Sequence, residues 1–329
     1  MNVAVFGCGV MGLRVADTVL GKRGMELVAA VDAKEALLGR DIGDRLDPAR
    51  NTGVVVQPAA EAPLAEADCV FLTTGSRLAD IEDQINSCID AGANVVSTCE
   101  ELAYPWIRNP EIAARIDGRA RERGVTVVGT GINPGYLMDT LPVMLTAPCL
   151  SLEKITVTRL MNSARRRVPF QKKVGTGLSP EEFRNRIDAG LITGHVGLRE
   201  SMQMIGAALG WQLDEFAEAP PEPVIARTPT ETGLGTVVAG DVIGLSSTGR
   251  ARGGGVERIR LEFHAYAGVP EEYDEVIIDG TPPIRQRIHG GVHGDIGTVA
   301  LTVNTAARAV TAPAGLRVMV ELPPPGYTF

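Results

Sequence analysis

Short apolar runs alternate with amphipathic segments through the first half of the chain. Each run has the length of a buried strand, and between the runs apolar residues recur every three or four positions. The predicted strands are 3–6, 27–31, 68–72, 94–98 and 125–129, and the predicted helices are 13–20, 81–91 and 110–122. Strands that alternate with helices are typical of a doubly wound parallel sheet. The pattern predicts an N-terminal α/β domain of the Rossmann type.

The pattern changes near residue 150, where apolar and polar residues alternate one by one. Between 152 and 161, Ile155 and Val157 fall on one predicted face, and Thr156 and Thr158 on the other. Further strands are predicted at 258–266, 273–278 and 283–289, and helices from Ser179 and over 195–209 and 296–310. We expect a smaller α+β domain with a mixed or antiparallel sheet, one face packed and the other available to a partner subunit.

The chain is therefore expected to contain two domains. Residues 1–148 form the dinucleotide-binding domain, and residues 149–295 form the substrate-binding and dimerisation domain. The C-terminal segment 296–329 is predicted to pack back on the first domain.

Composition excludes several classes of partner. The chain has 329 residues, 44% of them hydrophobic, and a net charge of −8. That charge argues against nucleic-acid binding, since phosphate affinity comes from Lys and Arg. No apolar run approaches the roughly 20 residues that span a bilayer, and no charged leader precedes Val3. Five cysteines without a CxxC pair favour reduced thiols over a disulfide framework or a metal site. We expect a cytoplasmic protein without a membrane partner.

A glycine loop joins the first predicted strand to the first helix. Its glycines permit a tight turn, close approach of a pyrophosphate and close packing of the helix on the strand. The helix N-terminus adds free N–H groups and the positive end of its dipole. The predicted cofactor contacts of this loop are Gly7, Gly9, Val10, Met11 and Gly12. Strand, turn, helix and a later acid together predict a site for NAD or NADP.

The choice between NAD and NADP depends on the residues after the second strand. Asp32 stands where a carboxylate would accept the ribose hydroxyls, which favours NAD. Lys34 and Arg40 lie nearby and could meet a 2′-phosphate, although a solvated loop explains them equally well. Both cofactors stay open.

Small polar residues follow two further predicted strands. At the carboxyl ends of parallel strands such turns line the ligand crevice, and we expect cofactor contacts at Thr73, Thr74, Gly75 and Ser76. A strand-to-helix cap is the alternative for these four residues. Asn133 is predicted to bind the nicotinamide carboxamide, and Tyr136 to line the substrate pocket or pack in the core.

Glu100 and Glu101 follow the fourth predicted strand. Either carboxylate is a candidate general base beside a nicotinamide. The alternative is the acidic first turn of a helix, which the helix dipole stabilises.

Candidate substrate residues lie in the second domain. Arg159 and the run that includes Arg165 offer cations to a carboxylate or phosphate. Asn162 and His195 are further pocket candidates, although an isolated histidine is more often structural.

These motifs together resemble those of the dihydrodipicolinate-reductase-like superfamily, and most closely the 2,4-diaminopentanoate dehydrogenases and native NAD(P)-dependent amine dehydrogenases. The segments that carry the resemblance are the glycine loop, 73–76, 97–101, 133–139 and 293–295. The chain has no pair of adjacent histidines, which the dihydrodipicolinate reductases carry. Reduction of a cyclic imine or enamine acid is therefore the less favoured reading.

The resemblance implies oxidative deamination of an amine or diamino acid, and the reverse reductive amination of a ketone with ammonia. It implies that a glutamate at Glu100 or Glu101 is catalytic, and the sequence leaves the two open. Separately from the resemblance, the available face of the second predicted sheet indicates a homodimer. A regulatory protein that binds NAD(P) without turnover is the alternative from another class.

Overall fold

The computed structural model describes residues 1–327, so the last two residues of the predicted segment 296–329 lie outside the described residues. The chain divides into two compact units. One contains Met1–Tyr136 and the C-terminal part from His293, and the other contains Leu137–Val292. The chain therefore passes between units at 136/137 and 292/293, whereas the sequence predicts 148/149 and 295/296. The first difference arises because the short helix at Thr140–Leu145 packs within the second unit.

A parallel sheet of seven strands forms the centre of the first unit. Its strands are β1 (Asn2–Phe6), β2 (Glu26–Val31), β3 (Val56–Gln57), β4 (Cys69–Leu72), β5 (Asn94–Ser97), β6 (Thr126–Gly129) and β16 (Gly315–Arg317). Their order is β16-β6-β5-β4-β1-β2-β3. The order in which successive strands are added reverses at the β1–β4 pair, although all strands stay parallel. A doubly wound fold binds its ligand at this point. The predicted Rossmann-type fold is confirmed.

Helices cover the sheet of this unit. They are α1 (Val10–Leu20), α2 (Leu78–Asp90), α3 (Pro110–Arg123) and α8 (Gly294–Ala309). Helices α2 and α3 pack together over one core, and α1 packs against α8. Helices α1 and α2 each begin three residues before their predicted start. No helix within residues 1–327 is long and apolar enough to cross a membrane.

A mixed sheet forms the centre of the second unit. Its strands are β7 (Ser151–Asn162), β8 (Glu215–Glu218), β9 (Glu222–Ile225), β12 (Val242–Gly253), β13 (Val256–Tyr266), β14 (Tyr273–Thr281) and β15 (Ile284–His289). The order is β15-β14-β7-β13-β12-β8, with β9 also paired to β12. Only the β7–β13 pair is parallel among the described strands of this sheet. The predicted mixed α+β character is confirmed.

The remaining elements of the second unit surround this sheet. They are a hairpin of β10 (Thr230–Thr232) and β11 (Gly235–Val237) and the helices α4 (Thr140–Leu145), α5 (Val168–Lys173), α6 (Pro180–Asp188) and α7 (Leu198–Leu209).

Helix α7 begins later than the sequence predicts. Its first residue is Leu198, and the predicted start at His195 is wrong. Gly194 and Gly197 have φ values of 69° and 106°, so the chain cannot continue a right-handed helix through them. His195 therefore lies in the loop before the helix.

Candidate active site

The glycine loop after β1 is tightly packed at its ends and open in its middle. Gly7 has a φ of 101°, which favours glycine, and its N–H donates to the Val31 carbonyl at 2.8 Å. A Cβ on Gly12 would lie 1.8 Å from the Gly7 carbonyl oxygen, so α1 packs directly on the loop. A Cβ on Gly9 would meet no atom within 4 Å. The middle of the loop can therefore receive a ligand close to the backbone.

The N-terminus of α1 offers backbone donors to that ligand. Its N-cap is Gly9, which has no capping side chain, and no acidic residue occupies the first turn. Val10 is exposed and Met11 is half-buried. First-turn N–H groups have no partner within a helix, and the positive end of the dipole favours an anion. These residues fit the pyrophosphate of a dinucleotide.

Asp32 follows β2 and is held by two backbone donors. Its Oδ2 accepts the Cys8 N–H at 2.7 Å, and its Oδ1 accepts the Lys34 N–H at 2.9 Å. Each carboxylate oxygen keeps a lone pair that can accept a ribose hydroxyl. Arg40 is exposed, and its guanidinium forms no ion pair with the residues that the structure describes.

The turn after β4 uses two of its hydroxyl groups within the protein. Thr73 Oγ1 donates to the Gly7 carbonyl at 2.9 Å, and Thr74 Oγ1 donates to Gln84 Oε1. Residues 75–76 are half-buried and exposed, respectively. Thr73 therefore stabilises the glycine loop through its bond to the Gly7 carbonyl.

Glu101 caps α2. Its Oε2 accepts the Leu78 N–H at 2.8 Å and the Asn109 Nδ2–H at 3.3 Å. Arg108 lies 3.8 Å from its Oε1. The side chain is only 15% exposed, so this carboxylate is committed to joining the first turn of α2 to the segment after β5.

The side chain of Glu100, unlike that of Glu101, does not join two segments of the protein. It is half-buried, and its carboxylate makes no hydrogen bond or ion pair within residues 1–327. The 3-10 turn at Glu100–Ala103 places the two side chains in different directions. Gly129 of β6 packs against this turn, and a Cβ there would lie 2.5 Å from the Leu102 carbonyl carbon. The turn is therefore fixed on both sides while Glu100 remains available for chemistry.

Asn133 and Tyr136 lie in the turn after β6. Both amide atoms of Asn133 are buried without a hydrogen-bond partner in the described part of the chain. A buried amide normally has a partner, because its desolvation is costly. The nicotinamide carboxamide offers the complementary donor and acceptor. Tyr136 is half-buried, and its hydroxyl bonds to no described residue.

In the second unit, Arg159 lies on the buried face of β7. It follows Ile155 and Val157 at alternate positions, and it is 3% exposed. Its Nη2 donates to the Val292 carbonyl at 2.5 Å, and its Nε lies 3.6 Å from Asp274 Oδ1. Its Nη1 is buried without a partner in the part of the chain that the structure describes.

His195 lies near Arg159. Its ring stacks on Phe263 with centroids 4.4 Å apart, and Phe263 pairs with Arg159 across the sheet. Burial lowers the pKa of His195 to about 3, and the charges of Arg159 and Lys173 act in the same direction. The imidazole is therefore neutral at physiological pH and can donate or accept a hydrogen bond without carrying charge.

Asn162 and Arg165 serve other contacts. The Asn162 side chain accepts the Ala164 N–H at 3.1 Å and so caps a 3-10 turn. Arg165 pairs with Glu272 at 2.8 Å, and its side chain is 75% exposed. Neither side chain shares the contacts of the Arg159 and His195 group.

Asp274 and Phe263 were missed by the sequence reasoning. Both occupy the buried face of strands that the alternation predicts. An acid at such a position, in a strand with Val276 and Ile278 at the next alternate positions, was the signal for a buried ion pair.

The cysteines form no disulfide among the described residues. Burial raises the pKa of Cys8 and of Cys99 to about 12, so both thiols are inert at neutral pH. No cluster of three His, Cys, Asp or Glu within residues 1–327 could hold a metal ion.

The fold and the glycine loop define this chain as a dehydrogenase that uses NAD or NADP. Residues 1–99 match the family model described as dihydrodipicolinate reductase, N-terminus. Residues 136–328 match the 2,4-diaminopentanoate dehydrogenase C-terminal domain. The chain belongs to the 2,4-diaminopentanoate dehydrogenase family.

Individual relatives agree with this assignment. The 2,4-diaminopentanoate dehydrogenase of Acetoanaerobium sticklandii is 34% identical, with 99% of this chain and 94% of the relative covered. An amine dehydrogenase of Streptomyces virginiae is 26% identical over 73% of this chain and 68% of its own length. The solved amine dehydrogenase of Mycobacterium smegmatis has a TM-score of 0.82 at 25% identity and covers 100% of this chain and 97% of its own. The predicted family and NAD(P)-dependent dehydrogenase class are confirmed.

Proposed function

We propose that this enzyme interconverts a carboxylate-bearing amine of the 2,4-diaminopentanoate class with the corresponding ketone and ammonia. The observation that carries the proposal is the uncommitted carboxylate of Glu100 beside the fully engaged carboxylate of Glu101. A family of amine dehydrogenases needs one proton-transfer group near the reacting carbon, and Glu100 is free to serve.

In the oxidative direction, Glu100 takes a proton from the substrate ammonium, so that the neutral amine can release hydride. A nicotinamide cofactor held by the first unit would supply the hydride acceptor. Glu100 passes this first proton to solvent, and its restored carboxylate then stabilises the cationic iminium and takes a proton from the water that attacks it. Collapse of the carbinolamine releases ammonia and the ketone. Reductive amination follows the same steps in reverse, with Glu100 returning each proton.

The cofactor is held by the first unit in this proposal. The loop 7–12 and the first turn of α1 bind the pyrophosphate, and Asn133 binds the nicotinamide carboxamide through its two unpaired amide atoms. Asp32 accepts the adenosine ribose hydroxyls and disfavours a 2′-phosphate by charge repulsion, which makes NAD the preferred cofactor. Gly75 and Ser76 are the residues of their turn that we expect to contact the cofactor.

Arg159 anchors the substrate carboxylate through Nη1. A buried guanidinium group with an unpaired donor edge favours an anion strongly. Neutral His195 supplies a further hydrogen bond, and Tyr136 lines the pocket. Asn162 and Arg165 receive less support, because one caps a turn and the other forms an exposed ion pair.

We also propose a cytoplasmic homodimer. The side of the second sheet opposite Arg159 carries half-buried polar residues such as Thr158 and Glu262, which bond each other at 3.1 Å. Such a face suits a second copy of the sheet. The cytoplasm is supported by the free cysteines. Light scattering at micromolar concentration tests the dimer: twice the chain mass supports it, and the mass of one chain contradicts it.

The reaction is tested by oxidation of NADH and NADPH with 2-amino-4-oxopentanoate and with pentan-2-one, each with and without ammonia. We expect ammonia-dependent oxidation, faster with the keto acid and with NADH. Turnover of cyclic imine acids without ammonia would indicate the reductase alternative instead. Tight cofactor binding with no turnover of any carbonyl compound would indicate a regulatory protein.

A further inference from the structure

We infer that Asp274 is a positioning residue for substrate selection: together with the Val292 peptide it turns Arg159 so that Nη1 alone remains to bind the substrate carboxylate. The inference rests on the proposed role of Arg159. It concerns how the protein selects carboxylate-bearing amines, and not how it moves protons.

Three groups meet around the guanidinium. Asp274 and Arg159 lie directly opposite each other on β14 and β7, where side chains share one face of the sheet. Asp274 Oδ2 accepts the Val292 N–H at 2.7 Å. The carbonyl of the same residue, Val292, accepts Arg159 Nη2 at 2.5 Å. Both polar groups of this residue are therefore used to hold the ion pair.

These contacts assign each edge of the guanidinium. Nε faces Asp274 Oδ1 at 3.6 Å, and Nη2 is bonded to Val292. Nη1 is buried and bonds to no described residue. Because the guanidinium is planar and its donors are fixed relative to one another, holding two edges sets the direction of the third. The free edge is the one that an incoming carboxylate can occupy.

Because both groups are buried, the orientation of Arg159 depends on the charge of Asp274. The side chains of Arg159 and Asp274 are 3% and 7% exposed. Burial lowers the pKa of Arg159 and raises that of Asp274, and each charge opposes the shift in the other. Without Asp274 the buried guanidinium would lose its ion-pair partner, only the weaker effect of the Glu272 charge would remain, and the group would move toward another acceptor. Its direction toward the substrate would then be lost.

The direction of Arg159 should matter only for substrates that carry a carboxylate. A carboxylate-bearing substrate depends on Nη1, whereas a ketone that lacks a carboxylate does not. Disturbing Asp274 should therefore raise KM for the first kind of substrate and leave turnover of the second unchanged. A residue that only stabilised the fold would affect both substrates alike.

The test is steady-state kinetics of Asp274→Asn with ammonia and NADH, using 2-amino-4-oxopentanoate and pentan-2-one. Asparagine keeps the shape and an acceptor for the Val292 N–H but removes the charge. We expect KM for the keto acid to rise by about tenfold or more, equivalent to about 1.4 kcal/mol, with kcat/KM for pentan-2-one and KM for NADH unchanged. Asp274→Glu, which keeps the charge, should recover part of the loss.

Glu275→Gln is the matched control, because Glu275 is the next residue of β14 and pairs with Arg285 and Arg287 instead. It should leave both substrates unaffected. If Asp274→Asn does not fold, Asp274→Glu is measured in its place. KM for the keto acid should then rise, by less than in Asp274→Asn, while kcat/KM for pentan-2-one stays unchanged. An equal loss for both substrates, or no change in either, overturns the inference. Wild-type enzyme that turns over no ketone contradicts the proposed function itself.

Discussion

The carboxylate of Glu101 accepts the backbone N–H of Leu78 at 2.8 Å, at the first residue of α2. This bond satisfies a backbone N–H that has no partner within the helix, and it places a negative charge at the positive end of the helix dipole. The residue before it, Glu100, is left without a partner among residues 1–327. The two adjacent glutamates therefore have different roles. Glu101 is structural, and Glu100 is available for proton transfer.

Removing the Glu101 cap should destabilise the first unit without abolishing the reaction. Loss of a charge-assisted bond to a helix N-terminus costs about 2 kcal/mol, which corresponds to a fall in Tm of roughly 5 °C. We expect this fall for Glu101→Ala, and about half of it for Glu101→Gln, which keeps an acceptor oxygen. Differential scanning calorimetry measures it. An unchanged Tm for Glu101→Ala contradicts the capping role.

Gly129 is expected to control the position of Glu100. A Cβ at this residue would lie 2.5 Å from the Leu102 carbonyl carbon and 2.6 Å from the Ala103 nitrogen. Gly129→Ala must therefore displace the turn that carries Glu100, and we expect kcat to fall by about tenfold, the effect of roughly 1.4 kcal/mol in the barrier. KM for NADH should stay within a factor of about two, since the glycine loop is untouched.

Gly118→Ala is the control for that substitution. Gly118 lies within α3, and a Cβ there would meet no atom within 4 Å. Alanine in a helix interior is favoured by about 0.5–1 kcal/mol, so this variant should be slightly more stable and fully active. Equal activity of the two variants contradicts the proposed link between Gly129 and Glu100.

Asp32 should determine the cofactor preference. Asp32→Asn keeps an acceptor oxygen but removes the charge that repels a 2′-phosphate. We expect the ratio of kcat/KM for NADH to that for NADPH to fall by about tenfold or more, about 1.4 kcal/mol in relative binding. Arg40→Ala is the companion variant and should leave NADH kinetics unchanged. A wild-type enzyme that prefers NADPH, with that preference lost in Arg40→Ala, contradicts the assignment of NAD.

Most of the fold was predictable from periodicity alone. The change from helical spacing to strict alternation near residue 150 separates the parallel from the mixed sheet, and both sheets are confirmed. The start of α7 was not predictable from apolar spacing, because the left-handed Gly194 and Gly197 decide it. The passage between units at 136/137 depends on the packing of α4 and α7, which periodicity does not report.

The candidate site was predictable by residue type but not by partner. Sequence reasoning selected both glutamates, yet a one-residue difference within a 3-10 turn decides which carboxylate is engaged. It selected Arg159 but not Asp274, since the strands that pair them are distant in sequence. Register between distant strands follows from the folded sheet and has no local signature in the chain.

Ammonia-dependent NADH oxidation by 2-amino-4-oxopentanoate, measured in Glu100→Gln and in Glu101→Gln, shows directly which glutamate transfers the proton. NADH affinity, followed by fluorescence, should be unchanged in both variants. We expect Glu100→Gln to lose at least about a hundredfold in kcat, the contribution typical of a general acid–base group. Glu101→Gln should keep kcat within about tenfold of wild type. A Glu100→Gln enzyme that retains wild-type kcat, beside an inactive Glu101→Gln, would contradict the assignment.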